Sequence, residues 1–224
     1  MHYVLHYSQI TSYLPYFIGG ALLSLELSVL AFLGAMVLGF AFAIIRKEGG
    51  PIFSRLVRGY VVFFTNTPQL MQIYVIFFGL PDLGIVFSPF AAVLIGMTLN
   101  AAAYLTEILR AGLASVRPEE IDAAETLGMS RVQSLRHVII PHVFRVALPP
   151  LSNQYILMTL GTSMAAVFGL EELTGRAFNV NATTFRSIEI FSTIAGLYVV
   201  ITFIATILLA VVGRWVFRAR IRVL

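Results

Sequence analysis

Residues 16 to 45, YFIGGALLSLELSVLAFLGAMVLGFAFAII, contain a single charged side chain, Glu26. A bilayer hydrocarbon core about 30 Å thick needs about 20 apolar helical residues to cross it. In lipid the backbone groups of such a run must bond within the segment, which leaves a helix as the local structure. The rest of the chain repeats the pattern. A mean hydropathy of +0.89 with 12% charged residues lies outside the range of soluble domains. The 224 residues have room for roughly five spans and one substantial loop. The expected fold is an all-α integral membrane protein of about five transmembrane helices, forming one domain over residues 1–224.

Composition also excludes several chemistries. There is no cysteine, hence no disulfide and no thiolate metal site. His2 and His6 are four apart but have no further ligands near them, so no metal site is expected. Lys47 is the only lysine and no G-x-x-x-x-G-K-[ST] surrounds it, so the chain cannot cradle ATP in a P-loop. The net charge of +4 does not point to nucleic acid, because the basic residues sit at the ends of apolar runs, where they set topology. The first of them is Arg46, so the N-terminus lacks the charged region of a secretory signal and no cleavage is expected.

In chain order, the first span is Tyr16 to Ile45. Glu26 within it is either a substrate-path carboxylate facing the bundle interior or a snorkelling or internally paired group near the outer interface. The linker Arg46 to Arg58 holds four of the fifteen basic residues and is expected in the cytoplasm. Gly59 to Leu80 is the second span, interrupted at Asn66-Thr67-Pro68 by a cap and a first-position proline. Gln69 and Gln72 lie on the next turn. Backbone broken at membrane depth is tolerated where it is buried in protein or lines a cavity. Leu80 to Phe87 is a short outer turn, and Ser88-Pro89 starts a third span reaching about Gly112. Asn100 and Tyr104 lie within that span, and Glu107 and Arg110 are spaced to pair on one face.

The fourth span follows Pro141. Pro149-Pro150 is expected to break it, with Asn153, Gln154, Thr159, Thr162 and Ser163 placing polar groups along the following helix. Gly169 to Ser187 reads as the longest outer loop. Ile188 to Val212 is the last span, and Arg214, Arg218, Arg220 and Arg222 hold the C-terminus inside. Five spans then put the N-terminus outside.

The one long polar stretch is 116–141, VRPEEIDAAETLGMSRVQSLRHVIIP. Pro118 suits a first helical position, and Glu119, Glu120 and Asp122 complement the positive end of the helix dipole. Gly128 in a left-handed cap position stops that helix. Ser130 with Gln133 forms a capping box for a second helix, which is expected to end at Pro141. Ile121, Ala124, Leu127, Val132, Leu135, Val138 and Ile139 recur at helical spacing, so one side can lie on the membrane domain and the other is left for a partner. Taken from these residues alone, the segment is either an ordinary cytoplasmic helical hairpin or a docking element.

Asp122-Ala123-Ala124, Gly128 four residues later, and Val138-Ile139-Ile140-Pro141 with Pro141 thirteen residues after Gly128, resemble the EAA loop of bacterial ABC importer permeases. The chain departs from that pattern by Asp for Glu, Val for Ile and Ile for Leu. FFTNTPQLMQIYVIFFGLP looks like the F-R-G-T-P-x-x-x-Q region of polar amino acid permeases of the histidine, glutamine and arginine type, with Thr65-Asn66 replacing Arg-Gly. LNAAAYLTEILRAGLASV resembles the corresponding family helix. Family members often carry Lys-Asp-Thr-Ser where this chain has Leu160-Gly161-Thr162-Ser163, which places in doubt a substrate contact by this subunit itself.

The resemblance implies a type I importer permease fold, with 116–141 as a cytoplasmic coupling segment. Asp122, Ala123, Ala124, Gly128, Ser130 and Pro141 would meet the ATPase. It implies two ABC ATPase subunits carrying ATP and Mg, a second, homologous and possibly non-identical permease subunit, and a periplasmic amino-acid-binding protein, in a bacterial inner membrane. It implies no cofactor on this chain. The substrate-path candidates are Asn66, Thr67, Gln69, Gln72, Asn100, Tyr104, Asn153, Thr162, Ser163 and Glu26, since amides and hydroxyls can bind both ends of an amino acid without a large desolvation cost. The alternative is an ion-driven secondary amino acid transporter, for which an internal repeat and mid-membrane acids are expected. No enzyme is expected, because no nucleophile and base share a helix face within the membrane.

Overall fold

The computed structural model describes residues 4–217, with side chains to residue 211. His2 and the basic tail at Arg218, Arg220 and Arg222 lie outside the described residues, and the side chain of Arg214 is likewise outside them. Every regular element among the described residues is helical. After two short 3-10 turns, α1 spans Leu14–Glu48, α2 Pro51–Thr65, α3 Gln69–Tyr74, α4 Pro89–Ala114, α5 Pro118–Thr126 and α6 Arg131–Ser134. Then come α7 over Ile140–Gly161, α8 over Leu173–Thr184 and α9 over Ser187–Phe217. Three helices are long and apolar enough to cross a membrane. The count rises to as many as five if Pro51–Thr65 with Gln69–Leu83, and Arg131–Phe168 with Leu173–Thr184, each form one bent span.

The chain divides into two compact units. One comprises Met1–Phe32, Pro68–Thr98 and Ile156–Ala205, the other Leu33–Thr67, Leu99–Tyr155 and Thr206–Leu224. In the first unit Phe17 and Ala21 of α1, Leu173, Ala177 and Val180 of α8, and Ile190 and Ile194 of α9 form one apolar cluster. A β-carbon on Gly20 would stand 2.9 Å from Leu173 Cα, so only glycine lets α1 approach the start of α8 this closely. In the second unit Val57 and Val61 of α2 pack with Ala103 of α4, and Phe42, Ile45, Tyr60 and Phe64 close around them. Tyr60 satisfies its hydroxyl on the Leu99 carbonyl at 2.6 Å.

Four expectations are corrected. The second short helix does not end at Pro141. A π turn over Leu135–Ile139 carries the chain directly into α7, with the Ile140 amide bonded to the Leu135 carbonyl. Proline lacks an N–H and its ring crowds the carbonyl four residues back, and a widened turn just before it relieves both problems. Pro149 and Pro150 likewise lie inside continuous α7 instead of breaking it, as membrane helices allow when other groups take up the freed carbonyls. Residues 169–187 are not an open loop. Most of that stretch is α8, whose N-cap is Glu172, with its carboxylate accepting from the Gly175 amide at 2.9 Å. The break at Asn66-Thr67-Pro68 supplies neither a side-chain cap nor a first-position proline to the helix that follows: Asn66 is the C-cap of α2, and Pro68 in extended conformation (φ −62°, ψ 130°) precedes α3.

Candidate functional site

The polar segment folds as a helix, a corner and a helix. Gly128 adopts φ +73°, where a β-carbon would be strained. Its amide bonds the Glu125 carbonyl at 2.9 Å, and the Met129 amide reaches back to Ala124 at 3.0 Å. These two bonds form a Schellman C-cap. Two residues on, the Ser130 hydroxyl accepts from the Gln133 amide at 3.4 Å, and the Gln133 side chain accepts from the Ser130 amide at 2.8 Å. Local caps at both ends thus set the geometry of the corner.

Ala124 is buried, but Asp122, Ala123, Gly128 and Ser130 are exposed, and Pro141 is half-buried at the start of α7. Of the apolar set expected to lie on the membrane domain, Leu127, Val132 and Leu135 are 76%, 73% and 46% exposed. The apolar stripe therefore splits: Ala124 is buried, and these three side chains are exposed. At the root of α5, the His142 ring stands 3.1 Å from the Glu120 carboxylate through Nδ1 and 3.2 Å from the Ser115 hydroxyl through Nε2. Arg117 also meets Glu120, at 3.2 Å. These contacts tie the segment to α7.

Several expected path residues gather at the C-terminus of α2, where the carbonyls of the last turn run out of backbone partners. Asn66 Nδ2 donates to the Val62 carbonyl at 2.8 Å and Thr67 Oγ1 to that of Phe63 at 2.8 Å. Asn100 Nδ2 donates to the Phe64 carbonyl at 3.0 Å and Tyr104 to that of Thr65 at 3.5 Å. Their polar groups therefore sustain the interrupted helix, although Asn66 and Tyr104 remain exposed. In the other unit Gln72 is buried and Gln69 half-buried, with Gln69 Oε1 3.6 Å from the place of a β-carbon on Gly161. Thr162 is buried and bonds the Thr159 carbonyl at 2.7 Å, and Ser163 bonds that of Leu160 at 2.8 Å. Asn153 is exposed on α7, and Glu26 is exposed on α1 without an ion-pair partner among the described residues.

The sequence reading missed the interior carboxylates. Glu172 is fully buried and accepts from the Ser24 hydroxyl at 3.0 Å and the Tyr198 hydroxyl at 2.9 Å as well as from Gly175. Ser24 in turn accepts from the Leu173 amide at 3.3 Å. Glu189 is also fully buried, and it accepts from the His6 amide and from Arg186, each at 3.1 Å. The available signal was Glu171-Glu172 directly before a stretch free of proline, an acidic start for a helix. The expected Glu107–Arg110 pair forms at 2.7 Å, and Arg46 joins it by a direct contact to the same carboxylate. No group of three or more metal-capable side chains occurs among the described residues.

Residues 35–219 match the family of binding-protein-dependent transport system inner membrane components. The chain belongs to this family. Among its relatives, the glutamine transport system permease protein of Escherichia coli (strain K12) is 35% identical over 207 residues, 91% of this chain and 94% of that protein. The octopine transport system permease protein of Rhizobium meliloti is 37% identical over 204 residues, 87% of this chain and 83% of the relative. The crystal structure of an amino acid ABC transporter with histidines superposes with a TM-score of 0.86 at 30% identity, covering 95% of this chain and 99% of that one. An inward-facing methionine ABC transporter shares the fold, with a TM-score of 0.69 at 17% identity over 92% of this chain and 96% of that one.

The chain is thus a multi-pass inner-membrane permease subunit of the type I importer fold. It is not an enzyme: ATP hydrolysis belongs to a separate subunit, and the family works with an ATPase and a substrate-binding protein. Membership sets aside the ion-driven secondary transporter.

Proposed function

We propose that this permease subunit, one domain over residues 1–224, admits polar amino acids or amino-acid-like solutes by alternating access driven by ATP. The carrying observation is the uncovered surface at Leu127, Val132 and Leu135 on a corner that is held rigid by its own caps. Such a surface suits a groove on an ATPase subunit, with Ala123 and Gly128 allowing close approach, and rigidity lets it transmit displacement instead of absorbing it. α7 leaves the corner without an interruption, so movement there passes directly into a membrane helix. The relatives' substrates, glutamine and octopine among them, support an amino acid as cargo.

In this reading two ATPase subunits bind ATP with Mg, a second permease subunit, identical or homologous, completes the pathway, and a periplasmic binding protein delivers substrate. The N-terminus lies outside and the C-terminus in the cytoplasm. Asn153, exposed on α7, is the leading path residue, followed by Asn66 and Tyr104, which are exposed although each bonds a backbone carbonyl. Glu26 joins them as an exposed carboxylate on α1.

The test is reconstitution with the ATPase subunits and binding protein in proteoliposomes, comparing the parent with Gly128→Val. Continued ATP hydrolysis with lost uptake is expected. Uptake equal to the parent's overturns the coupling role, and mass spectrometry of subunits retained on purification from membranes checks the assembly.

A further inference from the structure

One cavity takes no part in the proposed transport path. It lies in the second unit, has a volume of about 290 Å³, and is enclosed by Phe40 and Ile44 of α1, Leu109 and Leu113 of α4, Ile139 of the π turn and Val143 of α7. Leu109 and Val143 are buried, whereas Phe40 and Ile44 are partly open to the surroundings. Water entering such a space would find few hydrogen-bond partners, so the cavity favours apolar matter. The apolar matter available to a membrane protein is an acyl chain.

Two charged residues also line the cavity, Lys47 and Glu48, at the end of α1 where the apolar run gives way to charge. Their neighbour Arg46 is committed to Glu107. Lys47 and Glu48 are exposed and form no ion pair among the described residues, and adjacent helical positions do not face each other. An ammonium and a carboxylate side by side complement a phosphate linked to a primary ammonium. A purely anionic headgroup would leave Glu48 against negative charge, and a quaternary ammonium cannot donate a hydrogen bond to it.

We infer that this cavity binds one acyl chain of an amine-bearing zwitterionic glycerophospholipid, with the phosphate on Lys47 and the ammonium on Glu48. Leu135 and Ile139 of the π turn belong to the cavity wall, so a bound chain props the joint between the corner at Gly128 and α7. The binding itself stands independently of the proposed coupling role.

Native mass spectrometry of the purified permease complex, titrated separately with dioleoyl phosphatidylethanolamine, phosphatidylglycerol and phosphatidylcholine, tests it. Phosphatidylethanolamine should be retained up to about fivefold more than the other two, the factor a partly exposed charge contact supplies. Glu48→Gln, at an exposed position that does not threaten folding, should erase that preference, whereas Lys47→Gln should lower retention of all three lipids. Ile44→Phe combined with Leu113→Phe, which fills the cavity, should remove the bound lipid. Equal retention of the three lipids, a preference that survives Glu48→Gln, retention unaffected by Lys47→Gln, or retention unchanged in the filled variant overturns the assignment.

Discussion

At residue 172 the chain turns around a fully buried carboxylate that gathers a hydroxyl from α1, another from α9 and an amide of α8. At residue 128 it turns on a glycine whose partners all lie within four residues on either side. In the first case a corner is held by elements distant in sequence, and the donors to the carboxylate come from three helices. In the second the caps are local and the outer face is left apolar and uncovered. A distributed knot resists displacement of its helices against one another. A self-contained corner keeps its shape while a partner pushes on it, which is what a transmitting element requires.

The contrast can be broken most forcefully at Glu172. Glu172→Ala strips two buried donors and the half-buried Tyr198 hydroxyl of an acceptor and should lower stability by about 3 kcal/mol or more, read as a fall in the thermal unfolding midpoint of the purified protein. Glu172→Gln, which keeps a carbonyl acceptor, should recover much of the loss. Gly128→Val places a β-branched side chain at positive φ and should cost about 1–2 kcal/mol, a smaller fall accompanied by loss of uptake. A Gly128→Val protein less stable than Glu172→Ala would invert the comparison.

Ser130→Ala removes half of the capping box and should cost about 1 kcal/mol. Hydrogen exchange should speed up over residues 131–134 and leave α8 unchanged, and a change that spreads to α8 would show that the corner is not self-contained. The smallest stability effect belongs to Asn153→Ala, on an exposed position, within about 0.5 kcal/mol. Its uptake KM should rise about fivefold, the loss of one neutral hydrogen bond to substrate. An unchanged KM moves recognition to the partner permease subunit.

Much of the architecture was legible from sequence. Pro118, Gly128 and the Ser130–Gln133 pair are start and stop signals whose partners lie within a few residues, so their geometry follows from local order. Ser88-Pro89 opened α4 as expected, with the Ser88 hydroxyl accepting from the Ala91 amide at 3.2 Å. Proline was the misleading signal. Pro141 and Pro149-Pro150 read as breaks, yet a π turn and a packed bundle accommodate them. Asn66-Thr67-Pro68 reads as a helix start because cap residues look alike from either side of a break, and the bonds of the Asn66 amide and side chain to the Val62 carbonyl assign Asn66 to α2. The polar stretch after Gly169 hid a helix because its N-cap, Glu172, is held in place by Ser24 and Tyr198.

The sequence by itself determined that this chain lives in a membrane and that it carries a glycine-cornered helical segment between its apolar helices, although the second of these starts at Pro51, eight residues before the expected Gly59. Apolar length, charge at span ends and capping are properties of neighbouring residues, and lipid leaves the backbone no alternative to the helix. Only the tertiary structure decided which carboxylates are interior and which amides are already spent on backbone carbonyls. Burying a polar group depends on finding its partner, and for Glu172 with Ser24, and for Arg46 with Glu107, that partner lies 148 and 61 residues away.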